Sequence, residues 1–277
     1  IYRTCIRASA KSGIDRFGIT NKEMADVFAY LLKMAYQLDV SLEDAYLAKM
    51  EKTGKGFKGM NNNAQKRIQE GKGKFIAFEG IDGSGKSTQI QLLAEKLKKA
   101  GICFYTTMEP TDSPIGSLIH QILTGRMKTD NKAIAALFVA DRLDHLLNDV
   151  NGILSKILEG TTVITDRYYF SSYAYHSVDM PMDWVIHANE QSRNILQPTV
   201  TVFIDVNPDT AIERIVKNRG HQELFEKKSR LVKVREKYFK AFEKLEDTEN
   251  VVIIDGNRPP EEIAEDIWKE ISSLFVG

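Results

Sequence analysis

An α/β fold, a parallel sheet with helices on both faces, is what the amino-acid sequence predicts, and three observations carry that expectation. From Lys74 onward, short β-branched apolar runs alternate with amphipathic segments at the spacing of strand–helix–strand units. A Gly-rich turn joins the first of these runs directly to the first helix. The chain's 277 residues, at roughly 150 per domain, suffice for a sizeable core without disulfides or metals to staple it.

The elements follow in order. FIAFEG (75–80) is a short apolar strand, and IQLLAEKLKKAG an amphipathic helix stopped by Gly101. CFYTTM (103–108) is a second strand, and residues 132–150 and 152–159 have helical spacing. VITD (163–166) and VTVFIDV (200–206) are β-branched strands, DTAIERIVKNRG (209–220) a helix, and VVIID (251–255) a last strand before a C-terminal helix. No internal repeat is present.

Upstream the pattern differs. Thr20 and Glu23 form a capping-box pair ahead of Met24, Val27, Phe28, Leu31, Leu32 and Ala35, which follow helical spacing. A second helix is expected from Ser41 to about Lys52. The organisation read from this is a helical segment over 1–58, a basic Gly/Asn/Lys linker over 59–73, and the α/β domain over 74–277.

Charge balances overall, 38 basic against 38 acidic residues, although residues 1–73 carry 13 basic and 8 acidic side chains. That balance argues against a nucleic-acid or membrane partner. Cys5 and Cys103 are too few for a disulfide framework. No apolar run approaches the ~20 residues of a membrane span, and IYRTCIRAS has no signal-peptide core. The expectation is a soluble cytoplasmic protein. The chain starts at Ile1 rather than Met, which fits a piece of a longer one.

The strongest chemical signal is GIDGSGKS (80–87), which fits G-x-x-x-x-G-K-[ST] without a mismatch and lies between a strand and a helix. Glycines let backbone N–H groups turn inward around phosphate oxygens, and a helix N-terminus adds its positive end. Gly80, Gly83, Ser84, Gly85, Lys86, Ser87 and Thr88 are therefore the expected ATP-binding residues. Lys86 spans the β- and γ-phosphates and Ser87 ligates Mg²⁺ in this reading. No guanine reader follows, since Asn131-Lys132-Ala133-Ile134 lacks the Asp of N-K-x-D. About 200 residues with a single P-loop fit a small kinase best.

Three further segments sharpen this: MEPTDSPIG (108–116), ALFVADRLDHL (136–146) and TDRYYFSSYAYH (165–176). With GIDGSGKST they resemble the thymidylate kinase family, over essentially all of residues 74–277. The resemblance implies a P-loop nucleotide-kinase fold, ATP-dependent phosphorylation of dTMP to dTDP with Mg²⁺, and a homodimer. It also implies residue roles. Phe138 stacks on thymine, and Arg142, four residues on and on the same helix face, meets a base carbonyl. Asp166 holds the Mg²⁺ shell, directly or through water, and Arg167 grips the acceptor phosphate. Ser171, Ser172 and Tyr175 contact base and deoxyribose, Asp82 accepts the sugar 3′-OH, and Glu109 is the acid of the Glu-Pro loop. Met108 stands where the family often has Arg, and His176 where a Gln often contacts thymine. With no Arg inside the P-loop, the lid Lys217-Asn218-Arg219-Gly220 is expected to supply the charge, by Arg219 with Arg214 second.

Residues 15–52 resemble, less strongly, the C-terminal part of the MazG-like all-α nucleoside triphosphate pyrophosphohydrolases. Glu23 and Asp26 carry that resemblance, three apart on one helical face as a possible Mg²⁺ pair. The family's upstream Glu-Glu-x-x-Glu helix is missing. The leading expectation is a dTMP kinase. The alternatives are another pyrimidine monophosphate or nucleoside kinase, a bifunctional fusion with a pyrophosphohydrolase, or a P-loop regulatory or nucleic-acid-binding module.

Overall fold

The computed structural model describes residues 73–148, 151–219 and 224–275. The helical segment, the linker, Glu23 and Asp26 lie outside the described residues.

Fifteen residue runs build the domain in chain order, apart from a short 3₁₀ turn at Ser272–Phe275. They are β1 (Phe75–Glu79), α1 (Lys86–Lys99), β2 (Phe104–Met108), α2 (Pro114–Leu123), α3 (Asn131–Leu147), α4 (Ile153–Leu158) and β3 (Thr162–Asp166). Then follow α5 (Tyr169–His176), α6 (Met182–Ala188), α7 (Glu190–Ile195), β4 (Val200–Asp205), α8 (Pro208–Arg219), α9 (Leu224–Leu245), β5 (Val251–Asp255) and α10 (Pro260–Ile271). The strands form one sheet in the order β2-β3-β1-β4-β5, with every pairing parallel.

All five residues of β1 are buried. Successive strand side chains point to opposite faces, so both faces of the sheet are covered there. The core gathers Phe75, Ile76, Phe78, Val202, Phe203 and Ile204 from the central strand β1 and its neighbour β4. Each large apolar side chain so buried contributes about 1.5–3 kcal/mol.

Caps set the helix limits. The Asp130 carboxylate accepts from Lys132 N at 2.8 Å, so α3 starts at Asn131, one residue before the sequence pattern suggests. It stops at Leu147, because Asn148 is already extended. At α2, Ser113 Oγ accepts from Gly116 N at 3.1 Å with Pro114 in the first turn. The sequence reading leaves α9 unassigned, yet Leu231, Val234, Tyr238, Ala241 and Phe242 make one buried stripe along it. No helix among the described residues is long and apolar enough to cross a membrane.

The sheet order places the site. The chain leaves β1 for β2 on one side and β3 for β4 on the other. Ligands of open α/β sheets bind where the winding reverses in this way, at the carboxyl ends of the strands. Register pairs Phe78 with Asp166, which sets the loops after β1 and β3 side by side.

Candidate active site

The turn after β1 is shaped by its glycines. Gly83 has φ +80°, and a Cβ there would lie 2.4 Å from the Ala211 carbonyl oxygen. Gly85, at φ 96°, caps α1 and turns the helix N-terminus toward the loop. Lys86 folds back, its Nζ donating to Gly80 O at 3.1 Å and Ile81 O at 3.3 Å. Burial, and after it the charge of Arg167, push the Lys86 ammonium down to about 8. Ser87 Oγ donates to Asp166 Oδ2 at 3.0 Å. Asp166 Oδ1 is buried and has no hydrogen-bond partner among the described residues, and the same holds for Ser84 Oγ. Thr88 is exposed, like Ser87.

Arg167 follows β3 in a left-handed conformation, φ 75°, the one non-Gly residue with positive φ among those described. Its backbone is tied on both sides: its N–H donates to Phe78 O at 2.9 Å, and its carbonyl accepts from Thr165 Oγ1 at 2.9 Å. The guanidinium then reaches across to the P-loop. It donates to Asp82 Oδ1 at 2.5 Å and Ser171 Oγ at 2.9 Å, and it lies 4.9 Å from the Tyr175 ring centre. Partial burial raises the Asp82 carboxyl, but the Arg167 and Lys86 charges outweigh it and hold the group below its ordinary value.

Beyond this pair opens a pocket of about 370 Å³. Asp82, Glu109, Phe138, Arg142, Arg167, Ser171, Ser172, Tyr175 and His176 all line it. The structure thus brings together every acceptor-site residue that the sequence singles out. Phe138 and His176 meet as tilted rings, 5.2 Å between centres. Burial first, then the charges of Arg142 and Arg230, lower His176 to about 4, so the imidazole is neutral at physiological pH.

Arg142 and Glu109 are paired with each other. Arg142 is 1% exposed and donates from Nε and Nη2 to Glu109 Oε2 at 2.8 and 2.6 Å. Its Nη1 serves Ser172 Oγ at 3.1 Å and the Asn189 side-chain oxygen. His145 Nδ1 sits 3.2 Å from Glu109 Oε1, with its Nε2 2.7 Å from Thr107 Oγ1. Most of the Arg142 donors are therefore committed within the protein. Asp141 orders the loop after Pro110, accepting from Thr111 N, Thr111 Oγ1 and Ser113 Oγ. Met108 is 54% exposed at the end of β2.

Sequence reasoning missed several groups here. Glu79 is fully buried beneath the site, Tyr238 of α9 reaches it, and Arg230 stands at the pocket rim paired with Asp179 at 3.1 Å. An acid closing the otherwise apolar run FIAFE was the available signal for Glu79. The α8 helix runs to Arg219, whose side chain lies outside the described residues, as do Gly220–Glu223. Arg214 is placed at the P-loop, donating to Ser84 O at 3.4 Å and Gly256 O at 2.9 Å.

A phosphate-cradling loop at the winding reversal, facing a cleft with a guanidinium and a pair of rings, defines a P-loop phosphotransferase. The thymidylate kinase family model matches residues 78–267. The chain is 37% identical over 185 residues to the "Probable thymidylate kinase" of Methanocaldococcus jannaschii, covering 66% of this chain and 87% of that one. It is 38% identical over 212 residues to that of Methanococcoides burtonii, covering 74% and 98%, and 33% identical over 192 residues to the "Thymidylate kinase" of Leptospira borgpetersenii, covering 69% and 90%. The chain belongs to the thymidylate kinase family, and its activity is the phosphorylation of dTMP. The comparisons give no support to the pyrophosphohydrolase resemblance of residues 15–52.

Proposed function

We propose that the cleft between the P-loop and Arg167 transfers the γ-phosphoryl group of ATP to the phosphate of dTMP, forming dTDP and ADP. The observation that carries this reading is the convergence of Lys86, Ser87, Asp166, Arg167 and Asp82 at the adjoining ends of β1 and β3.

The acceptor is a phosphate monoester dianion and already a nucleophile, so the site needs no general base. Catalysis is then positioning plus neutralisation of charge on the transferring group. Lys86 supplies a buried ammonium at the β- and γ-phosphates, backed by the loop N–H groups and the α1 N-terminus. Arg167 grips the acceptor phosphate in fork geometry. Its present partner, Asp82, is released as the phosphate takes over the guanidinium, and it accepts the sugar 3′-OH. Phe138 stacks on the face of the base, with His176, whose ring touches that of Phe138, at the base edge together with Ser172 and Tyr175. Glu109 and Arg142 act as a buried pair that fixes the pocket wall, leaving little of Arg142 for the base carbonyl.

The residues fit a Mg²⁺ ion. Asp166 presents a buried, unpartnered carboxylate oxygen beside the Ser87 hydroxyl. Among the described residues no cluster of three or more metal-binding side chains exists, and Mg²⁺ characteristically takes one or two protein oxygens with phosphates and water. Held by Asp166 and Ser87, a Mg²⁺ ion would supply positive charge to offset that of the triphosphate. Arg219 is inferred to close over the γ-phosphate from the end of α8, with Arg214 supporting the loop from below. The active species is inferred to be a homodimer, as the family resemblance implies.

Release of ADP against a panel of nucleoside monophosphates tests this reading. Stimulation by dTMP well above dCMP, UMP and dGMP is expected; stimulation by UMP or CMP with none by dTMP would refute the acceptor assignment.

A further inference from the structure

Beneath the cleft lies a buried carboxylate that the transfer chemistry does not use. Glu79, the last residue of β1, is completely inaccessible to solvent. Four donors converge on it. Oε1 accepts from Tyr168 N at 2.8 Å and Ser171 N at 3.1 Å. Oε2 accepts from Ser171 Oγ at 2.5 Å and Tyr238 Oη at 2.8 Å. The two backbone donors are the N-cap residue of α5, immediately after Arg167, and a residue of its first turn, and the phenol comes from α9.

The geometry points to Glu79 as a positioning residue for the acceptor-phosphate grip: its carboxylate holds the turn that carries Arg167, orients the Ser171 hydroxyl that receives the guanidinium, and ties both to α9 through Tyr238. This rests on the reading of Arg167 as the group that binds the dTMP phosphate.

Two features carry the inference. First, Arg167 is in a left-handed conformation that is strained for a non-Gly residue and persists only where its surroundings hold it. Glu79 accepts the N–H of the very next residue, so it fixes the exit from that turn. Second, Ser171 has one hydroxyl proton. Donating it to Glu79 Oε2 leaves only lone pairs toward Arg167 Nη1, 2.9 Å away. The carboxylate thus sets the polarity of the hydroxyl, and the hydroxyl holds the guanidinium. An amide does not reproduce this. With its NH₂ at Oε1 it opposes two backbone N–H groups; with its NH₂ at Oε2 it donates where the carboxylate accepted, so the Ser171 and Tyr238 hydroxyls must turn and Ser171 loses the acceptor that fixes its proton.

A double-mutant cycle with Glu79→Gln and Arg167→Ala tests the proposal, read as kcat/KM for dTMP and KM for ATP, with circular dichroism and thermal melting as checks of folding. Glu79→Gln alone is expected to lower kcat/KM for dTMP on the order of tenfold or more while KM for ATP stays within about twofold. In the Arg167→Ala background the same substitution should have little further effect on dTMP. An equal penalty in both backgrounds, or parallel losses for ATP and dTMP, would overturn the role of Glu79 alone. Normal dTMP kinetics in Arg167→Ala itself would instead overturn the grip on which it rests. If Glu79→Gln does not fold, Tyr238→Phe removes one of the four donors and enters the same cycle, with a smaller loss expected in the same direction.

Discussion

Arg167 Nη2 donates to Asp82 Oδ1 at 2.5 Å, across the gap between the loop after β3 and the P-loop. One ion pair thereby joins the two halves of the cleft, the side that holds the donor nucleotide and the side that holds the acceptor. Asp82 is more than half exposed and Arg167 mostly covered, so an incoming phosphate meets the guanidinium with a displaceable partner. On the role proposed for Asp82, Asp82→Asn removes the charge that accepts the 3′-OH. We expect KM for dTMP to rise about 10- to 100-fold, the range for a hydrogen bond to a charged group. The preference for dTMP over its 3′-deoxy analogue should shrink in the same variant. A preference unchanged from wild type would place the 3′-OH elsewhere.

Lys86 provides a pH test. Burial and Arg167 lower its ammonium to about 8, so the free enzyme loses this charge as pH rises through that value. The expected kcat/KM for ATP is level below pH 7 and falls as pH climbs past about 8, because kcat/KM reports groups of the free enzyme. Bound triphosphate favours the charged form, which shifts the fall in kcat to higher pH. Lys86→Met should abolish transfer at every pH while leaving the melting temperature near that of wild type. Turnover in Lys86→Met close to wild type would remove the lysine from the mechanism.

Phe138 is half-buried, with its ring 5.2 Å from that of His176. Phe138→Ala is expected to raise KM for dTMP by about tenfold, equivalent to losing a stacking contact of roughly 1–1.5 kcal/mol, with KM for ATP unaffected. Equal rises for both substrates, measured in one steady-state matrix, would reduce Phe138 to a packing residue. His176 adds a stability effect. Its pKa is depressed to about 4 in the fold, so the folded state resists its protonation. Below the unfolded value near 6.5 the unfolded chain binds the extra proton, and stability is lost progressively as pH falls from about 6.5 to 4. His176→Gln should flatten that part of the stability curve in urea titrations.

Arg219 is assigned to the lid from its place at the end of α8. A contact made chiefly in the transition state lowers kcat and leaves ground-state binding alone. Arg219→Ala is therefore expected to reduce kcat by at least an order of magnitude with KM for dTMP changed by less than about twofold. A rise in KM with normal kcat would move this role to Arg214, already within 3.4 Å of the Ser84 carbonyl.

Local features were legible in the sequence and distant ones were not. The P-loop declares itself because its glycines, Lys86 and Ser87 are contiguous, and the strands because β-branched runs between turns have few alternatives. Asp166-Arg167 stands at a strand end and Phe138 shares a helix face with Arg142, but it is the resemblance to the thymidylate kinase family that singles these residues out. The partners of these groups were not readable by spacing. Glu79 and Tyr238 are 159 positions apart, Asp141 and Thr111 are 30 apart, and Glu109 and His145 are 36 apart. Nothing in a linear pattern says that Arg142 donates to Glu109, Ser172 and Asn189. That follows only once α3 packs against the loop after β2, where the arginine is 1% exposed and must be matched. The α9 stripe was legible in principle, since its apolar positions recur three and four apart, but its many lysines mask it.

Relatives aligned with 66–74% of this chain are covered over 87–98% of their own length, so the kinase region corresponds to nearly the whole of each of them. Every group assigned here to transfer lies between Gly80 and Arg219. Removing residues 1–58 is expected to leave kcat and KM for dTMP and ATP within about twofold, as for a segment joined through a linker. The same residues should confer no pyrophosphohydrolase activity on this chain. Hydrolysis of a triphosphate carrying Mg²⁺ needs several convergent carboxylates, and Glu23 with Asp26 gives two, three positions apart in one segment. Assaying pyrophosphate release from dUTP and dCTP decides the matter. Release that disappears in Glu23→Gln would mean that self-association assembles the missing carboxylates, and the N-terminal segment would then be a second active site rather than an appendage.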